Sequence, residues 1–180
     1  MGKVFSDLDE RNAAFIQAQR VFFVATAPLE EDGLLNLSPK GLDTFRILDP
    51  HTVAYLDLIG SGIETVAHLR ENGRIVLMFC AFEGPPRILR LHGYGTVVLP
   101  EAEDFATLVE NFPAYPGVRS VIKVTLARIS DSCGFGIPRY TFETERSQLQ
   151  AWATKLGPEA LQTYQEEENR TSVGGLPGLP

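Results

Sequence analysis

Short apolar segments, rich in β-branched and aromatic residues, follow one another along this 180-residue chain and most constrain its fold. Arg74–Phe82 (RIVLMFCAF) is almost continuously apolar. A strand formed by such a run has no polar face for water, so it needs cover on both faces or a closed barrel. Only two helices interrupt the series, whereas a parallel sheet needs a crossover between neighbouring strands. We therefore expect a mainly β protein, an antiparallel β-barrel with flanking helices.

Local patterns predict six or seven strands and four or five helices. The strands are expected at 21–27, 34–37, 44–48, 52–58, 74–82, 87–99 and 119–129. The helices are expected at 7–19 with Ser6 or Asp7 as cap, at 63–72 before Gly73, at 101–112, at 148–153 and at 158–167. Gly93 and Gly95 indicate a bulge or bend in the long strand.

One domain accounts for the chain length. We expect the barrel to occupy residues 1–143 and a helical extension of the same domain to occupy residues 144–170. Residues 171–180 (TSVGGLPGLP) are rich in Gly and Pro and are expected to form a flexible tail.

Composition argues against several classes of protein. The formal net charge is -7, which disfavours nucleic-acid binding because phosphate neutralisation needs surplus Lys and Arg. No run of about 18 apolar residues predicts a membrane span, and no signal peptide is recognised. Cys80 and Cys133 are then expected to be reduced thiols, and the default location is cytoplasmic. The three histidines lack ligand-like spacing, so no metal site is expected.

The first candidate site is Gly60-Ser61-Gly62, which lies between a predicted strand and a predicted helix. Its glycines let a ligand approach the backbone, and the free N–H groups of a helix start favour an anion such as phosphate. Ser61 and Thr65 would add hydroxyl donors. The alternative is an ordinary turn in which Ser61 caps the helix.

The second candidate is the turn Ser38-Pro39-Lys40-Gly41, where Pro39 is expected to end the strand pairing. Lys40, held on a constrained turn, can present a point charge to a phosphate. A solvated surface lysine is the alternative.

The third candidate is a strand that carries Arg87, Arg90 and His92. Alternation places Arg90 and His92 on one face, with Leu89 and Leu91 opposite, and Arg87 on the other face unless a bulge intervenes. The cationic face either lines an anionic pocket or forms the polar outside of the barrel.

The loop that follows the last strand, residues 130–138, contains Cys133 between small residues. Nothing nearby indicates a thiol with a lowered pKa, and the glycines and Pro138 suffice for a tight turn. We expect a structural role.

Together these segments resemble the pyridoxamine 5′-phosphate oxidase-like family of FMN-binding split barrels. The resemblance covers about residues 10–135 and is closest to a poorly characterised branch of the family. It is carried by the order of VFFVATAPLEEDGLLNLSPKG, TVAYLDLIGSGIETVAHLREN, RIVLMF and RILRLHGYGTVV. The oxidases proper carry a Ser-Arg-Lys phosphate clamp where this chain has Ser61-Gly62-Ile63.

The resemblance implies a split barrel and a homodimer with FMN in a cleft between subunits. It implies that the phosphate meets Lys40, Ser61, Gly62 and Thr65, with Gly41 in the same turn. It also implies that Ser38, Asp57, Arg87 and Arg90 lie along the flavin or its ribityl chain. The loop from Cys133 to Gly136 would approach the partner's site.

The expected function is that of an FMN-dependent oxidoreductase acting on an unidentified small molecule. The sequence indicates no general acid or base. The alternative is a non-catalytic protein that binds a flavin, the deazaflavin F420 or another phosphate-bearing ligand. A barrel that has lost its pocket is a further alternative.

Overall fold

The computed structural model describes residues 2–180 and contains eight strands and four helices. The strands are β1 (Val4–Phe5), β2 (Phe22–Thr26), β3 (Asn36–Lys40), β4 (Phe45–Asp49), β5 (Thr52–Leu58), β6 (Arg74–Cys80), β7 (Ile88–Val98) and β8 (Val118–Ser132). The helices are α1 (Glu10–Gln17), α2 (Glu64–Asn72), α3 (Phe105–Val109) and α4 (Gln148–Glu168).

The strands form one antiparallel sheet in the order β3-β2-β6-β7-β8-β5-β4, and β1 pairs with β8. The sheet curls around an apolar core as a split barrel, whose two ends are β3 and β4. This confirms the predicted fold class. The pairing shifts between His92 and Gly93, at the predicted position, but the residue left without a partner is Ala127 on β8 and not a residue of β7.

The core fills the inside of the curled sheet. Side chains of β2, β5, β6, β7 and β8 meet there with those of α1 and α2. Four aromatic rings, those of Phe22, Phe45, Tyr55 and Phe79, pack with centroids 5.1 to 5.6 Å apart. Helix α2 packs against β2, β6 and β7 and ends at Gly73, whose φ of 71° is the left-handed cap that the sequence predicted.

Strand β3 differs from the prediction in an informative way. The turn expected at Ser38-Pro39-Lys40 is part of the strand, and Pro39 lies directly opposite Phe23 of β2. Proline was expected to break the pairing, but β3 is an edge strand, and its free side needs no N–H donor. Lys40 therefore ends a strand, which fixes its position more firmly than a turn would.

Other element ends also differ from the prediction. Helix α1 is capped by Asp9, whose carboxylate accepts from the N–H of Asn12 at 2.7 Å, and neither Ser6 nor Asp7 is the cap. Helix α3 spans five residues only, shorter than the helix predicted over 101–112. Strand β8 continues through Ser132, so the predicted exit loop begins later.

The C-terminal part of the chain lies against the barrel. Helix α4 contains a kink at Gly157, the predicted break between two helices. Residues 171–180, expected to form a flexible tail, fold back in the structure through a bridge between Thr171 and Pro177, and Leu179 packs against the core. Within residues 2–180, no helix has the length and apolar character needed to cross a membrane.

Gly93 provides a test of the bulge. A Cβ at this position would lie 2.2 Å from the carbonyl oxygen of Thr125, so the Gly93→Ala variant must displace backbone. We expect its free energy of unfolding to fall by about 1–3 kcal/mol in urea denaturation. Gly136→Ala is the matched control, because a Cβ there meets no atom within 4 Å, and its change is expected below about 0.5 kcal/mol. Equal effects in the two variants would contradict the role assigned to Gly93.

Candidate functional site

A cavity of about 1110 Å³ opens between β3, the end of β5, the start of α2 and the segment 140–149. Seven of the residues predicted to bind a cofactor line it, namely Ser38, Lys40, Gly41, Asp57, Ser61, Gly62 and Thr65. The two candidate motifs, one before β4 and one after β5, therefore face the same space. Ligand clefts in proteins commonly measure roughly 300–1,000 Å³, so the cavity has room for a cofactor-sized molecule.

The start of α2 is an open donor site at one wall of this cavity. Its N-cap residue is Ile63, and no side chain among the described residues caps the helix. Ser61 is therefore not the cap, contrary to the alternative weighed from the sequence. The first N–H groups of a helix have no partner within the helix, and the helix dipole adds a partial positive charge there. Both features favour an anion.

Arg119, at the start of β8, binds the loop of residues 60–62. The Arg119 Nη1 group donates to the carbonyl oxygens of Gly60 and Gly62 at 3.0 and 2.9 Å. Asn169 donates through Nδ2 to the carbonyl of Gly60 at 2.9 Å. The carbonyl groups of Gly60 and Gly62 are thus hydrogen-bonded within the protein.

Arg119 also forms a two-point ion pair with Asp57. Its Nε and Nη2 groups donate to the two carboxylate oxygens at 3.1 and 3.0 Å, and both side chains are buried. Paired charges of this geometry satisfy each other, so Asp57 is an anchor for Arg119. We therefore assign Asp57 a positioning role in the site.

Lys40 is a cation in the lining of the cavity, at the end of β3. Its Nζ lies 3.8 Å from Asp57 Oδ1 and its side chain is largely buried. Burial lowers the pKa of the Lys40 ammonium below its usual range, and the negative charge of Asp57 offsets this effect only in part. A desolvated ammonium of this kind gains from an anionic ligand, which would restore the interactions that burial removes.

Hydroxyl and amide groups complete this wall. Asn36 Nδ2 donates to Thr65 Oγ1 at 2.9 Å and to Thr26 Oγ1 at 3.1 Å. Ser38 Oγ is buried and has no hydrogen-bond partner within residues 2–180. A buried hydroxyl without a partner is costly, and a polar ligand group in the cavity would satisfy it.

The segment 140–149 forms the outer wall of the cavity, and the sequence did not predict this position. The N–H of Tyr140 donates to the carbonyl of Phe82, and that of Phe142 donates to Glu83 Oε1, both at 3.0 Å. The Arg20 guanidinium lies 5.0 Å from the centre of the Phe142 ring. These few contacts hold two aromatic side chains beside the cavity, where they can cover a bound molecule.

Arg87 and Arg90 do not line this cavity in the described chain. Arg87 donates to Asn12 Oδ1 at 2.6 Å, pairs with Asp131 at 3.2 Å and lies over the Phe15 ring. Arg90 donates to Ser132 Oγ at 3.0 Å on the opposite face of the sheet from the core. The predicted alternation holds, since Leu89 and Leu91 are fully buried, but it carries Arg90 away from the cavity.

Sequence comparison identifies the family. The family model for pyridoxamine 5′-phosphate oxidase matches residues 8–133. The chain belongs to this family. The pyridoxamine 5′-phosphate oxidase family protein ustO of Aspergillus flavus is 39% identical over 178 residues, which cover 89% of this chain and 71% of the relative.

Solved structures of two other proteins show the same fold. A candidate pyridoxamine 5′-phosphate oxidase from Lactobacillus delbrueckii matches with a TM-score of 0.54 and 15% identity, over 71% of this chain and 98% of that chain. A FAD-binding protein from Mesorhizobium loti matches with a TM-score of 0.50 and 14% identity, over 73% and 96%. At these identities the likeness concerns the split-barrel fold.

Arg119 and Asp57 allow a test of the anchor. Replacing Arg119 with Leu leaves a buried carboxylate unpaired, and we expect a loss of about 3–5 kcal/mol in the free energy of unfolding. Arg128→Leu, an exposed arginine on the same strand, is the control and should change it by less than about 0.5 kcal/mol. The double variant Asp57→Leu with Arg119→Leu should recover part of the loss, because no lone charge remains. Urea denaturation measures the free energy of unfolding of all three variants. An equal loss in Arg119→Leu and Arg128→Leu would refute the role of the ion pair as an anchor.

Proposed function

We propose that this protein is a flavin-dependent oxidoreductase that binds FMN in the cavity between β3 and α2. The observation that carries the proposal is the convergence of Lys40 with the uncapped start of α2 on one cavity. A phosphate dianion there would meet a positive side chain and several backbone donors at once. Ser61 and Thr65 are within the same lining and would add hydroxyl groups.

The residues present fit such a cofactor. At the phosphate end, the start of α2 has no side-chain cap among the described residues, and the buried Ser38 hydroxyl has no hydrogen-bond partner there. Further along the cavity, the lining includes Leu56, Ile59 and Phe142, which suit a planar aromatic ring system. The M. loti protein with the same fold is a FAD-binding protein, which supports a flavin in this fold.

The protein's own contribution would be binding, orientation and exclusion of water. Bound flavin supplies the capacity to accept and return electrons as a hydride, which no side chain of the chain can do. Lys40 and the start of α2 would fix the phosphate, and the 140–149 segment would cover the ring and shape the space for a substrate. The substrate would then enter beside Tyr140 and Phe142.

A second candidate function is binding of a flavin or of the deazaflavin F420 without turnover. The family's Ser-Arg-Lys clamp is replaced by Ser61-Gly62-Ile63, and Ile63 is a core residue with 2% exposure. The phosphate site therefore has fewer cations than the clamp would give. Oxidation of NADH or NADPH by the flavin-loaded protein in air separates the two functions, because a pure carrier shows no multiple turnover.

Flavin binding can be tested together with the placement of its phosphate. We expect the purified protein to show flavin absorption bands or to gain them with added FMN, with a rise in melting temperature. Lys40→Met should weaken FMN binding by roughly 10- to 100-fold, the value of a hydrogen bond to a charged group. It should change the affinity for riboflavin, which lacks the phosphate, far less.

The control is Lys155→Met, an exposed lysine on α4 outside the cavity lining. Fluorescence titration gives both dissociation constants for each variant. No binding of either flavin to the unsubstituted protein would refute the proposed function. An equal loss for FMN and riboflavin would show that Lys40 lies elsewhere along the cofactor.

We also propose that the protein is a homodimer. The outer face of the sheet carries six apolar side chains in two rows across three paired strands, namely Leu37 and Pro39 on β3, Phe23 and Ala25 on β2, and Val76 and Met78 on β6. Leu37 is 66% exposed on this edge. Arg90 pairs with Met78 in the same sheet, so a second copy seated on this face would bring Arg90 to the interface.

Analytical ultracentrifugation tests the dimer. We expect a dimer for the unsubstituted protein and a monomer for Phe23→Lys, because a buried lysine without a partner opposes association. Leu35→Lys is the control, since this exposed leucine lies in the loop before β3 and outside the two rows. A monomer before substitution, or an unchanged dimer in Phe23→Lys, would contradict the proposed interface.

A further inference from the structure

The segment 169–179, which we call the C-terminal clasp, folds across the start of α2. It forms a short hairpin in which the N–H groups of Gly178 and Leu179 donate to the carbonyls of Arg170 and Asn169, both at 2.8 Å. The carbonyl of Gly178 accepts from Arg70 Nη1, and the N–H of Val173 donates to Glu64 Oε1 at 3.2 Å. The hairpin is therefore fixed to α2 at two places.

Asn169 connects the clasp to the 60–62 loop. Its side chain is fully buried, with Nδ2 donating to the carbonyl of Gly60 at 2.9 Å and Oδ1 accepting from Arg119 at 2.9 Å. The Asn169 amide thus binds both the Gly60 carbonyl and the Arg119 guanidinium, which itself binds the loop. Because these groups are buried, removing the amide would take away one of the two donors to the Gly60 carbonyl and one acceptor of the Arg119 guanidinium.

Gly178 connects the clasp to the N-cap of α2 by close packing. A Cβ at this position would lie 2.8 Å from Ile63 Cγ1 and 2.2 Å from the carbonyl oxygen of Asn169. Only a residue without a side chain allows the clasp to lie this close. The contact with Ile63 is apolar and is separate from the hydrogen bonds of the Asn169 side chain.

We propose that the clasp, through Asn169 and Gly178, positions the 60–62 loop and the N-terminus of α2 for the phosphate of the cofactor. Asn169 is a positioning residue, since it binds the Gly60 carbonyl of the loop, whereas the N–H groups at the start of α2 are the ones proposed to bind the ligand. This inference rests on the proposed function for its ligand, but the placement of the loop can be tested without any ligand. The clasp lies outside the residues 8–133 that the family model matches.

Amide hydrogen exchange, followed by NMR on the protein without ligand, tests the placement. The N–H of Ala67 donates to the carbonyl of Ile63 at 3.0 Å and reports on the first turn of α2. The N–H of Gly73 donates to the carbonyl of Leu69 at 3.0 Å and reports on the last turn. In Asn169→Ala we expect exchange at Ala67 to be about tenfold faster or more, with Gly73 unchanged.

Asn72→Ala is the matched control, because this asparagine binds the carbonyl of Ala27 and the N–H of Arg74 at the other end of the same helix. This variant should accelerate amide hydrogen exchange at Gly73 and leave exchange at Ala67 unchanged. Gly178→Ala disturbs the clasp without removing a polar group and should reproduce the Asn169→Ala pattern. Unchanged exchange at Ala67 in both clasp variants, or equal acceleration at both reporters, would overturn the proposal.

The link to the ligand is tested by the ratio of the FMN and riboflavin affinities. A loss of stability alone would weaken both flavins equally, whereas a misplaced phosphate site should lower the FMN affinity at least fivefold more. An unchanged ratio in Asn169→Ala would overturn the link to the phosphate. If the unsubstituted protein binds neither flavin, the proposed function fails and the link fails with it. The exchange result still decides whether the clasp positions the loop.

Discussion

The buried ion pair between Arg119 and Asp57 is the interaction on which the candidate site depends. Arg119 uses its remaining donors on the carbonyls of Gly60 and Gly62 and on Asn169, so a single guanidinium joins β5, β8, the loop before α2 and the C-terminal clasp. A buried ion pair contributes little net stability compared with apolar packing, but its geometry is specific. Its effect here is to hold Arg119 where it binds the carbonyls of Gly60 and Gly62 and so fixes the loop before α2.

This arrangement would let the chain present the proposed anion site without the Ser-Arg-Lys clamp that the resemblance assigns to the oxidases proper. Ile63 is directed into the core, where a lysine would be buried without a partner. Among the described residues, a Cβ at Gly62 would meet only Glu64 Oε2, at 2.9 Å, so the position is neutral and next to a carboxylate. The positive charge comes instead from Lys40, at the end of an edge strand on the other side of the cavity. Binding would rely on backbone donors more than on side-chain cations.

Local signals in the sequence were sufficient for most of the fold. Strand β5 has the predicted bounds, and Gly73 ends α2 as predicted, because the turn residues and apolar periodicity there act over a few positions. Pro39 was misread because its tolerance depends on β3 being an edge strand, which only the pairing order reveals. The ion pair between Arg119 and Asp57 joins residues 62 positions apart. The sequence indicated it only by placing an arginine at the start of an apolar strand. The 140–149 segment carries no periodic pattern, so its place at the cavity follows only from tertiary packing.

A crystal structure of the protein with FMN tests the central claim most directly. We expect the phosphate oxygens to lie within hydrogen-bond distance of the Lys40 ammonium and of N–H groups at the start of α2. We expect the ring system to be covered by the 140–149 segment. Flavin bound with its phosphate elsewhere, or no flavin in the cavity at saturating FMN, would contradict it.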